Sequence, residues 1–236
     1  MLEHRSQVDR PGGIDGKVVR MLAGGARRLV LFAATAMRPA RLAGVVVLAA
    51  VVFGGVAAPA GASPTPAAGP APVPSLDLNR YVGTWYQLAA VPQFFNLVCA
   101  RDTRAEYAAL PNGDVSVHNS CTTWSGAPND IQGAARVVDP VTGAQLRVAF
   151  PGVPTQESLD GPPNYIVTAL GPDYSWALVT DPFRISGFVL SRTPALDADQ
   201  WNQIVAAIVA AGEQPCLYLT SPVTGGRDDI TPLCRI

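Results

Sequence analysis

From residue 76 onward, apolar and polar positions fall into short runs divided by turn residues. The runs 82–90, 101–110, 114–123, 131–138, 144–150, 164–170, 174–180 and 183–191 each predict a β-strand. Pro92 ends the first, and an apolar loop, 93–98, follows it. Pro111-Asn112-Gly113-Asp114 predicts a tight hairpin between the second and third. Turns are expected at 125–129, Asp139-Pro140, Thr142-Gly143, Gly171-Pro172-Asp173 and Asp181-Pro182, with a Pro/Gly-rich loop over 151–163. After residue 191 the period changes. Asp197 reads as a helix N-cap, and Trp201, Ile204, Val205, Ile208 and Val209 recur at spacings of three and four up to Gly212. Leu217-Tyr218-Leu219 predicts a short ninth strand, and 221–236 is irregular.

Consecutive short strands with mostly short connections predict an all-β fold, an eight-stranded antiparallel up-and-down β-barrel. One C-terminal α-helix packs outside it, next to the short ninth strand. A β-sandwich needs longer crossings between its sheets, which the short turns here do not supply. Eight strands leave an interior able to hold one small ligand.

The first 75 residues have a different texture. Arg38 and Arg41 precede an apolar run, 42–53, and Ala60-Gly61-Ala62 fits a small-residue cleavage site. This predicts a signal peptide over 37–62, preceded by an extension, 1–36, that a start at Met37 would leave out. The alternative is a membrane anchor formed by residues 42–58. Residues 63–75 read as a disordered Pro/Ala-rich linker, 76–220 as the barrel domain, and 221–236 as a tail tied by a disulfide. Net charge over the chain is −1, but eight of the 17 basic residues precede Ser63. The remainder holds nine arginines, no lysine and fifteen acids, a net charge of −6. Such a domain is unsuited to nucleic acid.

Cys99, Cys121, Cys216 and Cys234 all follow the apolar run, as expected of two disulfides in an oxidising compartment. No C-x-x-C occurs, and His118 is the single histidine after residue 4, so no metal site is expected. No catalytic residue is expected either. There is no G-x-S-x-G elbow, and His118 lies mid-strand on the face opposite to Val117 and Asn119. No cofactor is implied.

Asn79-x-x-x-Gly83-Thr84-Trp85-Tyr86 resembles the first signature of the lipocalins. Gly171-Pro172-Asp173-Tyr174 is similar to the second, with Pro replacing Thr, and Val189-Leu190-Ser191-Arg192-Thr193-Pro194 resembles the third. All three stand in order over roughly 76–220, and the likeness is nearest to the bacterial and apolipoprotein D-like branch. The resemblance implies that Trp85 closes the barrel floor with Arg192 stacked over it, and that Gly83, Asp173 and Tyr174 are structural. It also implies a binding protein for a small hydrophobic ligand, a lipid of the fatty acid or lysophospholipid kind, with Arg101, Arg136 or Arg147 available for a carboxylate. Tyr107 is expected to point inward, with Val117 and Asn119 on the same face. Phe188, Phe150 and Tyr165 are further cavity candidates, and Phe94 and Phe95 lie in the loop expected over the mouth. The alternatives are an enzyme on the same barrel, an isomerase or lipid-modifying activity, and a secreted protein–protein interaction module. Peripheral contact with a membrane or cell envelope is a further expectation.

The hairpin between the second and third strands brings Cys99 and Cys121 within about one register step on one face. This favours Cys99–Cys121 with Cys216–Cys234. Pairing of Cys99 with Cys234, as in some members of the family, remains the alternative.

Overall fold

The computed structural model describes residues 69–236. The expected extension, signal and first part of the linker lie outside the described residues. β1 (Gly83–Ala90), β2 (Cys99–Ala109), β3 (Val115–Thr123), β4 (Pro128–Val137), β5 (Gln145–Ala149), β6 (Tyr165–Leu170), β7 (Trp176–Thr180) and β8 (Gly187–Ser191) pair in chain order, all antiparallel. β1 closes the barrel. Its first half pairs with β2, from Gly83↔Tyr107 to Tyr86↔Arg104, and its second half with β8, from Tyr86↔Ser191 to Ala90↔Phe188. β9 (Leu219–Thr220) pairs with the far end of β1. Gly113, with φ +87°, turns the β2–β3 hairpin as the sequence predicts.

Several boundaries differ from expectation for local reasons. β4 starts at Pro128 because its ladder with β3 runs on to Thr122↔Pro128. β8 starts only at Gly187, since 181–186 winds around the Asp181 carboxylate, which accepts the backbone N–H of Phe183, Ile185 and Ser186. Leu217 belongs to a 3₁₀ turn begun by Pro215, which displaces β9 by two residues. A one-turn helix, α1 (Leu78–Tyr81), capped by Asp77, was not expected. The end of the Pro-rich stretch, read as disordered, lies instead on the barrel. Val73 N–H donates to the Val167 carbonyl at 2.8 Å, and Pro70 is buried.

α2 (Ala198–Ala210) begins at an Asp197 capping box with Gln200. It buries Ile204 and Ile208 against Leu88, Trp176, Leu178, Val189 and Tyr218 on the outside of the barrel. Val209, read as part of that face, is 60% exposed, so the seam is narrower than the periodicity suggested. A second apolar cluster lies inside the barrel, built from Trp85, Val115, Val117, Leu146, Val167, Val179 and Leu190.

Beneath α2, Tyr218 donates its hydroxyl to Glu213 in a space that exists because residue 187 is glycine. A Cβ there would collide with that hydroxyl. Burial raises the Glu213 carboxyl above its ordinary value, against the opposing hydrogen bond from Tyr218. The raised group holds its proton more tightly in the folded chain. Its contribution is therefore complete below the ordinary glutamate range and is lost as pH rises through the folded value. Glu213→Gln is expected to flatten the fall of melting temperature between about pH 4.3 and neutrality. Melting curves of both proteins across that range check it. An unchanged slope would show that Glu213 does not carry the effect.

Candidate functional site

The three signature segments meet at one end of the barrel. Trp85 is fully buried and donates its indole N–H to the Tyr81 carbonyl at 2.8 Å. The Arg192 guanidinium lies 3.6 Å from the Trp85 ring centroid. Its donors go to the carbonyls of Arg80, Tyr81, Val82 and Thr84, at 2.7 to 3.1 Å. These are carbonyls at the end of α1 and the start of β1, and a fixed guanidinium fork is suited to gather them. Gly83, at φ +100°, admits the arginine, because a Cβ there would stand 3.3 Å from Nη1. The second segment turns tightly, with Asp173 and Tyr174 at φ +53° and +61°. The Tyr174 hydroxyl accepts the Asp77 N–H at the start of α1, and Arg80 stacks 4.4 Å from the Tyr174 ring while reaching Asp173. Arg192 thus holds the end of α1 and Tyr174 its beginning.

Above this floor the inward positions alternate along each strand. Ala105, Tyr107, Val117 and Asn119 share the inner face of the β2–β3 hairpin, paired as Ala105↔Asn119 and Tyr107↔Val117. Tyr81 rises from α1 to meet them, its ring 5.9 Å from Tyr107. Its hydroxyl lies 2.7 Å from that of Tyr165, which is 3.3 Å from that of Tyr107. Burial pushes the Tyr107 phenol up to about 12, and raises Tyr81 and Tyr165 well above the usual phenol range. All three are neutral hydroxyls at physiological pH. Tyr81 was not singled out from the sequence, because a four-residue helix has too little periodicity to declare itself.

Toward the open end the inner face is less covered. Ile131 stands directly across from Asn119 on the interior side of the sheet, yet is 37% exposed. Phe150 lies over Gly133, where any Cβ would strike its ring. Phe188 is half-buried and faces Phe95 at 6.5 Å between centroids. Of the two phenylalanines expected in the loop over the mouth, Phe95 turns toward Phe188, and Phe94 is 76% exposed on the 3₁₀ turn Phe94–Val98.

The loops around this mouth are joined side to side. Trp124 donates its indole N–H to the Leu97 carbonyl, and Gln93 its amide to the Ile185 carbonyl, both at 2.8 Å. The Cys99–Cys121 bridge clasps the same rim, and Cys216–Cys234 ties the tail, which is the favoured pairing of the four.

The arginines offered for a carboxylate are committed elsewhere. Arg101 pairs with Asp102, Arg136 with Asp114 and Asp160, and Arg147 with the Thr155 and Ser158 carbonyls. Strand alternation turns Arg136 and Arg147 away from the interior, because their neighbours Ala135, Leu146 and Val148 occupy it. His118 also faces outward, with its ring nitrogens 3.4 Å from Glu106 and 3.3 Å from Asp130.

A family model described as the lipocalin-like domain matches residues 76–218. The chain belongs to the lipocalin family. It is 35% identical over 142 residues to temperature-induced lipocalin-1 of Arabidopsis thaliana, covering 59% of this chain and 75% of that one. It is 32% identical over 151 residues to the outer membrane lipoprotein Blc of Escherichia coli, covering 64% and 81%. Apolipoprotein D of Macaca fascicularis is 29% identical over 130 residues, covering 53% and 65%. The floor built by Trp85 and Arg192 is therefore the part of this lipocalin in which its signature residues converge. The half-covered aromatics lie at the opposite end.

Proposed function

We propose that this lipocalin binds and stores or carries a small hydrophobic ligand inside its barrel, without chemistry on it. A lipid of a cell envelope, of the fatty acid or lysophospholipid class, is the ligand kind in view. The observation that carries the reading is the uneven filling of the interior. The floor is sealed by Trp85, whereas the inner face near the mouth holds Ile131, Phe150 and Phe188 partly uncovered. An apolar cup closed at one end and open at the other fits an elongated apolar molecule. A carrier role is favoured over an enzymatic one because His118 sits on the outer wall, away from the cup.

Export is part of the same proposal. Two disulfides support an oxidising compartment. Peripheral contact with a lipid surface is supported by the mouth loops, where Phe94, Leu97, Trp124, Phe183 and Ile185 are each at least 67% exposed. Large apolar side chains on adjoining loops are unusual on a purely solvated rim.

Native mass spectrometry of protein purified from its own host, followed by lipid extraction, tests the carrier reading. The expected result is a mass increment that disappears on extraction and is recovered as a lipid. An empty barrel that also refuses added lipids would overturn it.

A further inference from the structure

The cup is not uniformly apolar, and its polar groups are incompletely matched. Three phenols, Tyr81, Tyr107 and Tyr165, make two contacts among their hydroxyls. Each contact uses one proton, so one of the three O–H donors has no protein acceptor within the cluster. Among the described residues, no other hydrogen bond to these hydroxyls is present. On the same inner face, the Asn119 Oδ1 is buried and has no hydrogen-bond partner. Asn119 is the diagonal neighbour of Tyr107 across the β2–β3 ladder, a position at about 7–8 Å in such a sheet. The interior therefore offers one uncommitted donor among the three phenols and one uncommitted acceptor on Asn119.

It offers no cation. Lysine is absent after residue 17, and all nine arginines of residues 76–236 have other places. Arg101, Arg136 and Arg147 are engaged as described above, and Arg104 reaches Ser120 and Glu106 on the outer wall. Arg80 and Arg192 lie at the floor, Arg184 donates to the Ala211 carbonyl, and Arg227 pairs with Asp229. Arg235 is exposed in the tail. A carboxylate taken to the depth of the tyrosines would lose its hydration with no opposite charge to replace it. The raised phenols add to this, since they remain neutral and serve only as dipoles.

We propose that the interior selects an uncharged ligand through a hydroxyl or carbonyl group placed among Tyr107, Tyr165 and Asn119, and excludes an ionised carboxylate from that depth. This rests on the carrier reading and narrows it. A fatty alcohol, amide or ester fits the deep site. A fatty acid or lysophospholipid fits only with its charged end left at the mouth, so that its tail faces the tyrosines.

The experiment displaces the neutral fluorophore N-phenyl-1-naphthylamine from the full chain at pH 8. Decan-1-ol is compared with decanoate of the same chain length. Decan-1-ol is expected to displace at a concentration at least about tenfold lower. Because an alcohol partitions into any apolar site better than a carboxylate, variants of the polar groups carry the decision. Asn119→Leu removes the unpartnered acceptor and is expected to narrow the alcohol-to-carboxylate ratio by about fivefold or more. Tyr107→Phe, which removes the hydroxyl diagonal to it, provides the same reading if the first variant does not fold. A ratio near one in the parent protein, or a ratio unchanged in a folded variant, overturns the selectivity and leaves the carrier reading standing. A parent protein that binds neither the fluorophore nor either decyl compound overturns both.

Discussion

Trp85→Ala is expected to lower the unfolding free energy by about 3–5 kcal/mol, the range for truncating a large buried aromatic. Three losses combine. The fully buried ring disappears, together with its packing against Tyr81 at 5.0 Å. The Arg192 guanidinium loses the face over which it lies. The Tyr81 carbonyl loses the indole donor. For a domain of this size the melting temperature should fall by roughly 10 °C. Trp85→Phe keeps a ring under the guanidinium but loses the indole N–H and the volume of the five-membered ring, so its cost should be smaller, about 1–2 kcal/mol. Urea unfolding measures both. Ligand preference should be little changed, since the tyrosines and the mouth lie above the floor. If Trp85→Ala altered preference and spared stability, the plug would be misassigned.

Removing the Cys216–Cys234 bridge is the second large effect. The double change Cys216→Ser, Cys234→Ser is expected to cost about 2–4 kcal/mol, because the bridge closes a long loop of the unfolded chain. The two bridges are not equivalent. Cys99–Cys121, with a separation of 22 residues, spans β2 and β3, which already pair from Cys99↔Thr123 to Ala109↔Val115. Cys216–Cys234, with a separation of 18, closes a tail whose strand pairing is limited to the two-residue β9 and the bridge Leu219↔Pro232. Without it the tail is held by the buried Val223 and Leu233, by the Ser221 N–H donated to the Leu88 carbonyl, and by Asp102, which accepts the Thr224 N–H and hydroxyl. The double variant should therefore show faster hydrogen exchange and proteolysis over 221–236, with the barrel amides nearly unchanged. Equal loosening of the barrel would mean that the tail supports the whole fold.

Much of the architecture was legible because each strand carried its own period and its own stop. Gly113 had to turn the β2–β3 hairpin, Asp197 had to cap α2, and the short connections permitted only neighbour pairing. Where local signals compete, the reading failed. Alternating apolar Phe183 and Ile185 continue the texture of β8, but the Asp181 carboxylate draws the backbone of 183–186 into a loop. Pro215 similarly displaced β9. The candidate site was half legible. Alternation predicted that Tyr107, Val117 and Asn119 share a face, because period two is a property of any strand. It could not show that Tyr81 and Tyr165, more than eighty residues apart, would bring their hydroxyls to 2.7 Å.

The sequence by itself determined the strands, the hairpin, the outer helix and the polarity of each face, since these follow from neighbours along the chain. Trp85 and Arg192 were recognisable as a pair only through the signatures they belong to. Closure decided the rest. Once β1 pairs with both β2 and β8, arginines that one strand's pattern left open are fixed on the outer wall or beneath the floor. The three phenols and an unpartnered amide oxygen are left inside. The charge of the cup is the sum of side chains from separate strands, and only the barrel brings them to one place.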